Sequence, residues 1–263
     1  MIRSLYSGVS GMKNHQTRMD VIGNNIANVN TTGYKSSRVQ FKDVLGQTIA
    51  GGQVASGVTI AGINKDFTQG SQTATENSTD LYIHGNGFFI VQDPGDPSIL
   101  YYTRDGSFHV DDTGQLVNSL GYKVCSSDGS TEIDPFTVPL DSINIDMNGK
   151  ISYCTGGSTT PEDGGQIGLA MFNDLNRLIN KGNNLYQYDN KPNTDGSDPA
   201  EPIFGAPGSI GLGTVISNNL EMSNVDLTNE FSNMIITQRG YQANSKVITT
   251  SDEMLQELIG LKR

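Results

Sequence analysis

Between Ser223 and Arg263 the chain carries a heptad-spaced seam. Leu227, Phe231, Met234, Gln238, Tyr241, Ser245, Ile248, Asp252, Leu255 and Ile259 step alternately by four and three residues. Most are apolar, so a helix gathers them along one line, the pattern of a surface made to lie against another helix. Ile235, Val247, Met254 and Leu258 widen that line. A helix from Leu227 to Ile259 runs roughly 50 Å at about 1.5 Å per residue, more than a compact domain of this size needs to bury. A second helix or a second molecule is therefore expected. The amino terminus supplies a matching seam: Ile2, Leu5, Val9, Met12, Gln16, Met19, Gly23 and Ile26 step alternately by three and four, with Tyr6 and Ile22 beside them. The positions between are polar or small, among them Ser4, Ser7, Asn14, Thr17 and Asp20. The simplest partner for one terminus is the other, and a neighbouring subunit is the simplest cover for the rest.

Composition narrows the rest of the chain. Hydrophobic residues make up 35% and charged residues 17%, so Gly, Ser, Thr, Asn and Gln fill the balance, as in turn-rich β proteins or extended exported ones. A net charge of −11 argues against nucleic acid or an anionic membrane surface as partner. No run of apolar residues is long enough for a transmembrane helix. Arg3 is followed by neither an unbroken apolar block nor a small-residue cleavage site, so no signal peptide is expected. The two cysteines, Cys125 and Cys154, fit no zinc spacing and make no disulfide framework.

Along the chain, the first helix is expected to stop between Asn24 and Asn30, where residues tolerant of left-handed backbone and side-chain turns cluster. Residues 36 to about 80 read as extended, with a helical turn at Phe41, Val44 and Leu45 and a Gly, Ser, Thr and Gln-rich stretch behind it. From Asp80 the pattern becomes period two. Leu81–Ile83 and Phe88–Val91 read as strands about a Gly85-Asn86-Gly87 turn. Leu100–Arg104 and Ser107–Val110 read as a hairpin about Asp105-Gly106. Further strands are expected at Phe136–Val138, Ile143–Ile145, Ile151–Tyr153 and Ile167–Phe172. A polar loop covers Asp189 to Pro202, and a glycine-rich passage leads back to the carboxyl-terminal helix.

Catalytic and metal readings find no support. Asn144, Asp146, Asn148 and Gly149 copy part of a calcium loop, but Thr155 stands where a bidentate Glu is needed. Strand, turn and strand is the simpler reading. Gly85-x-Gly87 has no following helix to receive a phosphate, and Gly8-Val9-Ser10-Gly11 misses the nucleophile-elbow spacing. His15, His84 and His109 show no partner spacing for metal or triad chemistry. The Asp-Gly and Asp-Pro pairs are turn formers. No catalytic residue, cofactor or metal site is expected.

One segment carries a specific resemblance. Residues 21 to 35, with Asn24, Asn25, Ile26, Ala27, Asn28, Asn30, Thr31, Gly33, Tyr34 and Lys35, resemble the amino-terminal motif of bacterial flagellar rod and hook proteins. Ser4 to Met12 resembles it too, as do Gly85 to Leu116, Gln238 to Ser245 and Thr249 to Leu258. The resemblance implies an α+β fold, with long amino- and carboxyl-terminal helices forming a coiled-coil-like inner domain and a β-rich outer domain inserted between them. The boundaries expected are residues 1–30 and 218–263 for the inner domain, 31–70 for an extended connector and 71–217 for the outer domain. It implies a non-enzymatic axial subunit, helically polymerised and transmitting torque, located in the hook or basal body and exported without a cleaved signal peptide. Its partners would be identical subunits in a tube, adjoining rod, hook and hook-junction proteins, and the export apparatus and cap, with no nucleic acid and no membrane insertion. Assembly is expected through Leu5, Val9, Met12, Met19, Ile22 and Ile26 with Phe231, Met234, Tyr241, Ile248, Leu255 and Ile259. The short passage from Ile49 to Val58 favours a hook subunit, with a distal rod subunit as the alternative. A coiled-coil surface adhesin is a further reading and an enzyme a distant one.

Overall fold

The computed structural model describes residues 2–44, 47–49, 52–54, 57–129, 131–138, 140–156, 160–191, 201–209 and 211–261. The chain divides into two compact units. One comprises Met1–Val29, Lys35–Asp66 and Val225–Arg263, and the other Asn30–Tyr34 and Phe67–Asn224.

The first unit holds helices α1 (Ile2–Ala27) and α2 (Leu227–Gly260). Their extents follow the two seams read from the sequence. Asp226 starts α2: its carboxylate accepts from Thr228 N at 2.8 Å and Asn229 N at 3.4 Å, a cap worth about 1 kcal/mol. Between the helices come strands β1 (Ser37–Asp43), β2 (Gln47–Ile49), β3 (Gly52–Val54) and β4 (Val58–Lys65). β1 and β4 pair antiparallel with a bulge at Gln40/Phe41, and β2 pairs with β3. The helical turn expected at Phe41 is therefore strand. Val44 follows the strand directly, and Leu45 lies outside the described residues. The β-branched partners Val39 and Ile63 stand opposite each other in that ladder, and ladder pairing outweighs the local helical spacing.

The second unit is built of antiparallel strands, with a short 3-10 helix at Leu175–Arg177. Its strands are β5 (Gln72–Ala74), β6 (Leu81–His84), β7 (Phe88–Gln92), β8 (Leu100–Thr103), β9 (Phe108–Val110), β10 (Leu116–Asn118) and β11 (Lys123–Val124). There follow β12 (Leu140–Ile145), β13 (Lys150–Thr155), β14 (Glu162–Gln166), β15 (Leu169–Met171), β16 (Leu178–Gly182), β17 (Leu185–Tyr188), β18 (Ile203–Gly205), β19 (Thr214–Ser217) and β20 (Asn219–Glu221). The main sheet runs β16-β17-β8-β7-β11-β10-β9, with β15 branching from β7 and β18 pairing with β15. β12, β13 and β14 form a second sheet, while β19 pairs with β6 and β20 with β5.

The core straddles β7, where every residue is buried. Because side chains alternate across a strand, Phe89 and Val91 join Leu81, Phe108, Leu116, Ile151 and Leu169 on one face. Phe88 and Ile90 join Tyr102, Phe172, Leu178 and Tyr186 on the other. A strand covered on both sides reads as an unbroken apolar run, and Phe-Phe-Ile-Val is such a run.

Two sequence expectations give way here. Residues 100–110 do not form a hairpin: β8 pairs with β7 and β17, and β9 pairs with β10. Between them the chain is tied elsewhere, with Leu81 N donating to Gly106 O at 3.0 Å. Phe136–Val138 is irregular and not a strand. Phe136 is anchored by its buried ring against Tyr153 at 5.1 Å, and its N–H donates to Gly114 O at 2.6 Å. The Asn144–Thr155 loop is strand, turn and strand, as read, with Gly149 N donating to Asp146 O at 2.8 Å. Cys125 and Cys154 are free thiols. Burial pushes the Cys125 thiol up to about 12, so it stays protonated and inert at neutral pH.

Candidate assembly surface

The helices of the first unit run antiparallel, and apart from Ile22 and Ile248 the line along which they touch is small and polar. Ser4 Oγ and Ser251 Oγ lie 3.4 Å apart, Arg18 Nη2 donates to Asn233 Oδ1 at 3.3 Å, and Asn25 Nδ2 donates to Glu230 Oε1 at 3.1 Å. Between these, backbones approach closely at glycine. A Cβ on Gly8 would sit 3.1 Å from Ile248, one on Gly11 2.6 Å from the Asn244 amide, and one on Gly240 2.7 Å from the His15 ring. On α1 the contact line is Ser4, Gly8, Gly11, His15, Arg18, Ile22 and Asn25. On α2 it is Glu230, Asn233, Thr237, Gly240, Asn244, Ile248 and Ser251, with Thr237 and Ser251 buried.

Each α1 contact residue immediately precedes a residue of the apolar seam, and on α2 the same holds except at Ile248. One residue is about 100° of rotation on a helix with 3.6 residues per turn. The apolar seams therefore flank the contact line, and only Ile248 belongs to both. Since the two helices are antiparallel, equal rotations carry both seams to the same side of the pair. The opposite side of α1 is taken by the β1–β4 ladder. Ser7, Ser10 and Asn14, each one residue before a contact residue, face it. Asn14 Nδ2 donates to Val58 O at 2.5 Å, and Ser10 lies against Gly57.

Of the residues expected to carry assembly, Val9, Phe231, Tyr241 and Ile259 are exposed on that free side. Leu5, Met12, Met19, Ile26, Met234 and Leu255 are half-buried beside them. Ile22 and Ile248 differ: Ile22 is buried on the contact line, and Ile248 packs over Gly8 within the chain. Apolar periodicity alone does not reveal the glycine and polar line. The signal was present, since Ser4, Gly8, Gly11, His15 and Arg18 keep the same four-three rhythm.

Gly11→Leu tests the contact line. Overpacking against Asn244 should cost the helix pair roughly 1–3 kcal/mol, against a gain of about 1 kcal/mol in helix propensity on replacing glycine. The helical circular-dichroism melt should move down. A higher melt would mean that propensity decides and that close approach at Gly11 is unimportant.

The motif at residues 24–35 serves each unit separately. In the first, Asn25 is buried; it accepts from Ser37 N at 3.0 Å and donates to Ser37 O at 2.9 Å, besides its bond to Glu230. Asn28 Nδ2 donates to Asn24 O at 2.9 Å as α1 ends, Ile26 is half-buried and Ala27 exposed, and Lys35 is fully buried. In the second, Asn30 is exposed, Thr31 half-buried and Tyr34 buried. Thr32 Oγ1 donates to Asp105 Oδ1 at 2.9 Å, and Asn184 Nδ2 donates to Thr32 O at 2.7 Å. Gly33 has φ +66°, and an added Cβ there would stand 2.6 Å from Asp105 N, so only glycine fits. Its N–H donates to Glu221 O at 2.8 Å.

The second unit also contains a buried ion pair. Arg104 Nη1 lies 3.3 Å from Glu221 Oε2, with side chains 5% and 0% exposed. Arg104 Nη2 donates to Gly85 O at 2.9 Å, and its guanidinium lies 5.2 Å over the Phe88 ring. Glu221 Oε1 accepts from Gly70 N at 2.9 Å. Burial pulls the Arg104 pKa below its ordinary value, against the opposing pull of Glu221. The pair thus gathers segments 30–34, 67–72 and 219–224 of the unit at one place. A shallow groove of about 480 Å³ between His109, Asp111 and Lys123 is elsewhere on this unit. There Lys123 Nζ already reaches Glu132 Oε2 at 2.9 Å. Among the described residues no group of His, Cys, Asp and Glu is placed to hold a metal, and no helix is long and apolar enough to cross a membrane.

Comparison with known proteins meets this geometry at both ends and in the middle. Residues 5–35 match the family described as flagella basal body rod protein, and residues 82–153 the flagellar hook protein FlgE/F/G D1 domain. Residues 216–261 match the flagellar basal body rod FlgEFG protein C-terminal family. The chain is 48% identical to the flagellar basal-body rod protein FlgG of Bacillus subtilis over 279 aligned residues, covering 100% of both chains. It is 38% identical to the FlgG of Borreliella burgdorferi, again over 100% of both. The flagellar hook protein FlgE of Borreliella burgdorferi is 26% identical over an alignment of 453 residues covering 100% of both. With the helical ends, the β-rich middle and the end-to-end identity in agreement, this chain belongs to the bacterial flagellar rod and hook protein family.

Proposed function

We propose that the chain is a distal rod subunit of the flagellar basal body. The observation that carries this is the 48% identity to a basal-body rod protein across the whole of both chains. The likeness to a hook protein is weaker, at 26%, and its alignment stretches to 453 residues. This supports the distal rod alternative over the hook reading drawn from the short passage after Ile49. Loop length is a weak discriminator, because each doubling of a flexible loop costs only about 0.6 kcal/mol.

In this reading the helix pair forms the inner, coiled-coil-like layer of a tube and the β unit the outer layer. The free apolar side of the pair, with Val9, Phe231, Tyr241 and Ile259 exposed, is covered by neighbouring copies through a heterologous contact that does not close. Adjoining rod and hook proteins meet the two ends of that tube. The chain reaches its site through the flagellar export apparatus and works as a torque-bearing structural element, not as an enzyme. Electron microscopy of basal bodies from cells lacking the gene tests the reading. Rods that stop short of completion are expected. Complete rods lacking only a hook would restore the hook reading.

A further inference from the structure

The middle of the α1–α2 contact is an imidazole. His15 fills the space over Gly240, where an added Cβ would lie 2.7 Å from its Cε1. It also meets the Phe41 ring of β1 edge-on, at 5.8 Å and 66°. Its Nδ1 is buried without a hydrogen-bond partner. A neutral ring with its proton on Nε2 leaves Nδ1 as a bare lone pair, which this site tolerates. A proton on Nδ1 would instead place a donor where nothing accepts it, the costly way to bury a polar group.

The charges around the ring act in the same direction. α2 presents Gly240 and β1 presents Phe41, neither of them titratable. The charge that reaches His15 is Arg18, on its own helix, whose guanidinium lies 5.8 Å over the same Phe41 ring. A second cation would meet repulsion from Arg18, and among the described residues no carboxylate acts on the ring to offset it.

We propose that His15 is a proton-operated release for the helix pair: the neutral ring seats α1 against α2, and protonation loosens them. Burial first, and Arg18 second, hold the His15 pKa below its ordinary 6.5. The folded pair therefore takes up this proton less readily than the unfolded chain does. Its contribution is complete above 6.5 and is lost as pH falls from there through the lower folded value.

The full chain carrying His84→Gln and His109→Gln keeps His15 as its remaining imidazole, since the sequence has three histidines. Its ring-proton resonance should titrate with a midpoint below 6.5. Taking the same chain from about pH 7.5 to about pH 5.5, across the histidine range, should lower the helical melt. The drop should exceed that of the chain with His15→Leu added by at least about 2 °C. A midpoint at or above 6.5 overturns the proposal, and so does an equal drop in both chains. If His15→Leu does not fold, His15→Asn, uncharged at both pH values, takes its place, and the resonance midpoint decides independently of either.

Discussion

A chain carrying Phe231→Asp is expected to fold as the parent does and to build no rod. Phe231 is 50% exposed in the single chain and lies beside the α1–α2 contact line, not on it. A surface change of this kind typically shifts stability by only about 0.5 kcal/mol. In the polymer the same position would lie under a neighbouring copy, and a buried, unpaired carboxylate costs several kcal/mol. That cost recurs at every subunit, so growth should stop and not merely slow. Ile259→Asp should behave alike, Ile259 being 71% exposed. Ile248→Asp is a poorer probe, because Ile248 also packs over Gly8 and would disturb the chain's own helix pair. The check is twofold: a thermal melt within a few degrees of the parent, and electron microscopy of cells whose sole copy carries the variant. Rods of normal length with Phe231→Asp would remove the apolar side of the helix pair from the assembly surface.

The second large effect is on the β unit itself. Arg104→Met should destabilise it by roughly 3–5 kcal/mol, the usual consequence of leaving one member of a buried pair uncompensated. Glu221 would then sit in a dry site without the guanidinium that balances its charge, while its carboxylate still accepts from Gly70 N at 2.9 Å. Since a whole domain is stable by about 5–15 kcal/mol, this removes a large fraction of the stability of the unit and should move its unfolding midpoint far down. Arg104→Lys should be nearly as damaging, because the planar guanidinium bonds Glu221 and Gly85 O while lying over Phe88. The double change Arg104→Met with Glu221→Gln should recover much of the loss by removing both charges. Urea unfolding followed at a β-sheet wavelength measures all three. If Arg104→Met unfolds at the parent's midpoint, the pair is not what holds these segments together.

The sequence by itself determined what depends on neighbours along the chain. A helix places residues three and four apart on one side, so the seams disclosed α1 and α2 almost to their ends, Ile2–Ala27 and Leu227–Gly260. Alternation and unbroken apolar runs likewise disclosed the strands around Leu81, Phe88 and Ile151, and the motif at Asn24–Lys35 disclosed the family. Tertiary structure alone decided which surfaces meet. Apolar periodicity finds the side of a helix that avoids water, but helices can pack closest where side chains are smallest. Here Gly8, Gly11 and Gly240 bring the backbones together one residue before the seams, which leaves the seams beside the contact and not in it. Strand pairing was undecided for a similar reason. Asp105-Gly106 has the composition of a hairpin turn, yet β8 takes β7 and β17 as its partners. Arg104 finds Glu221 across 117 residues of sequence, and no local pattern records that meeting, because only burial in a shared dry site makes the two charges need each other.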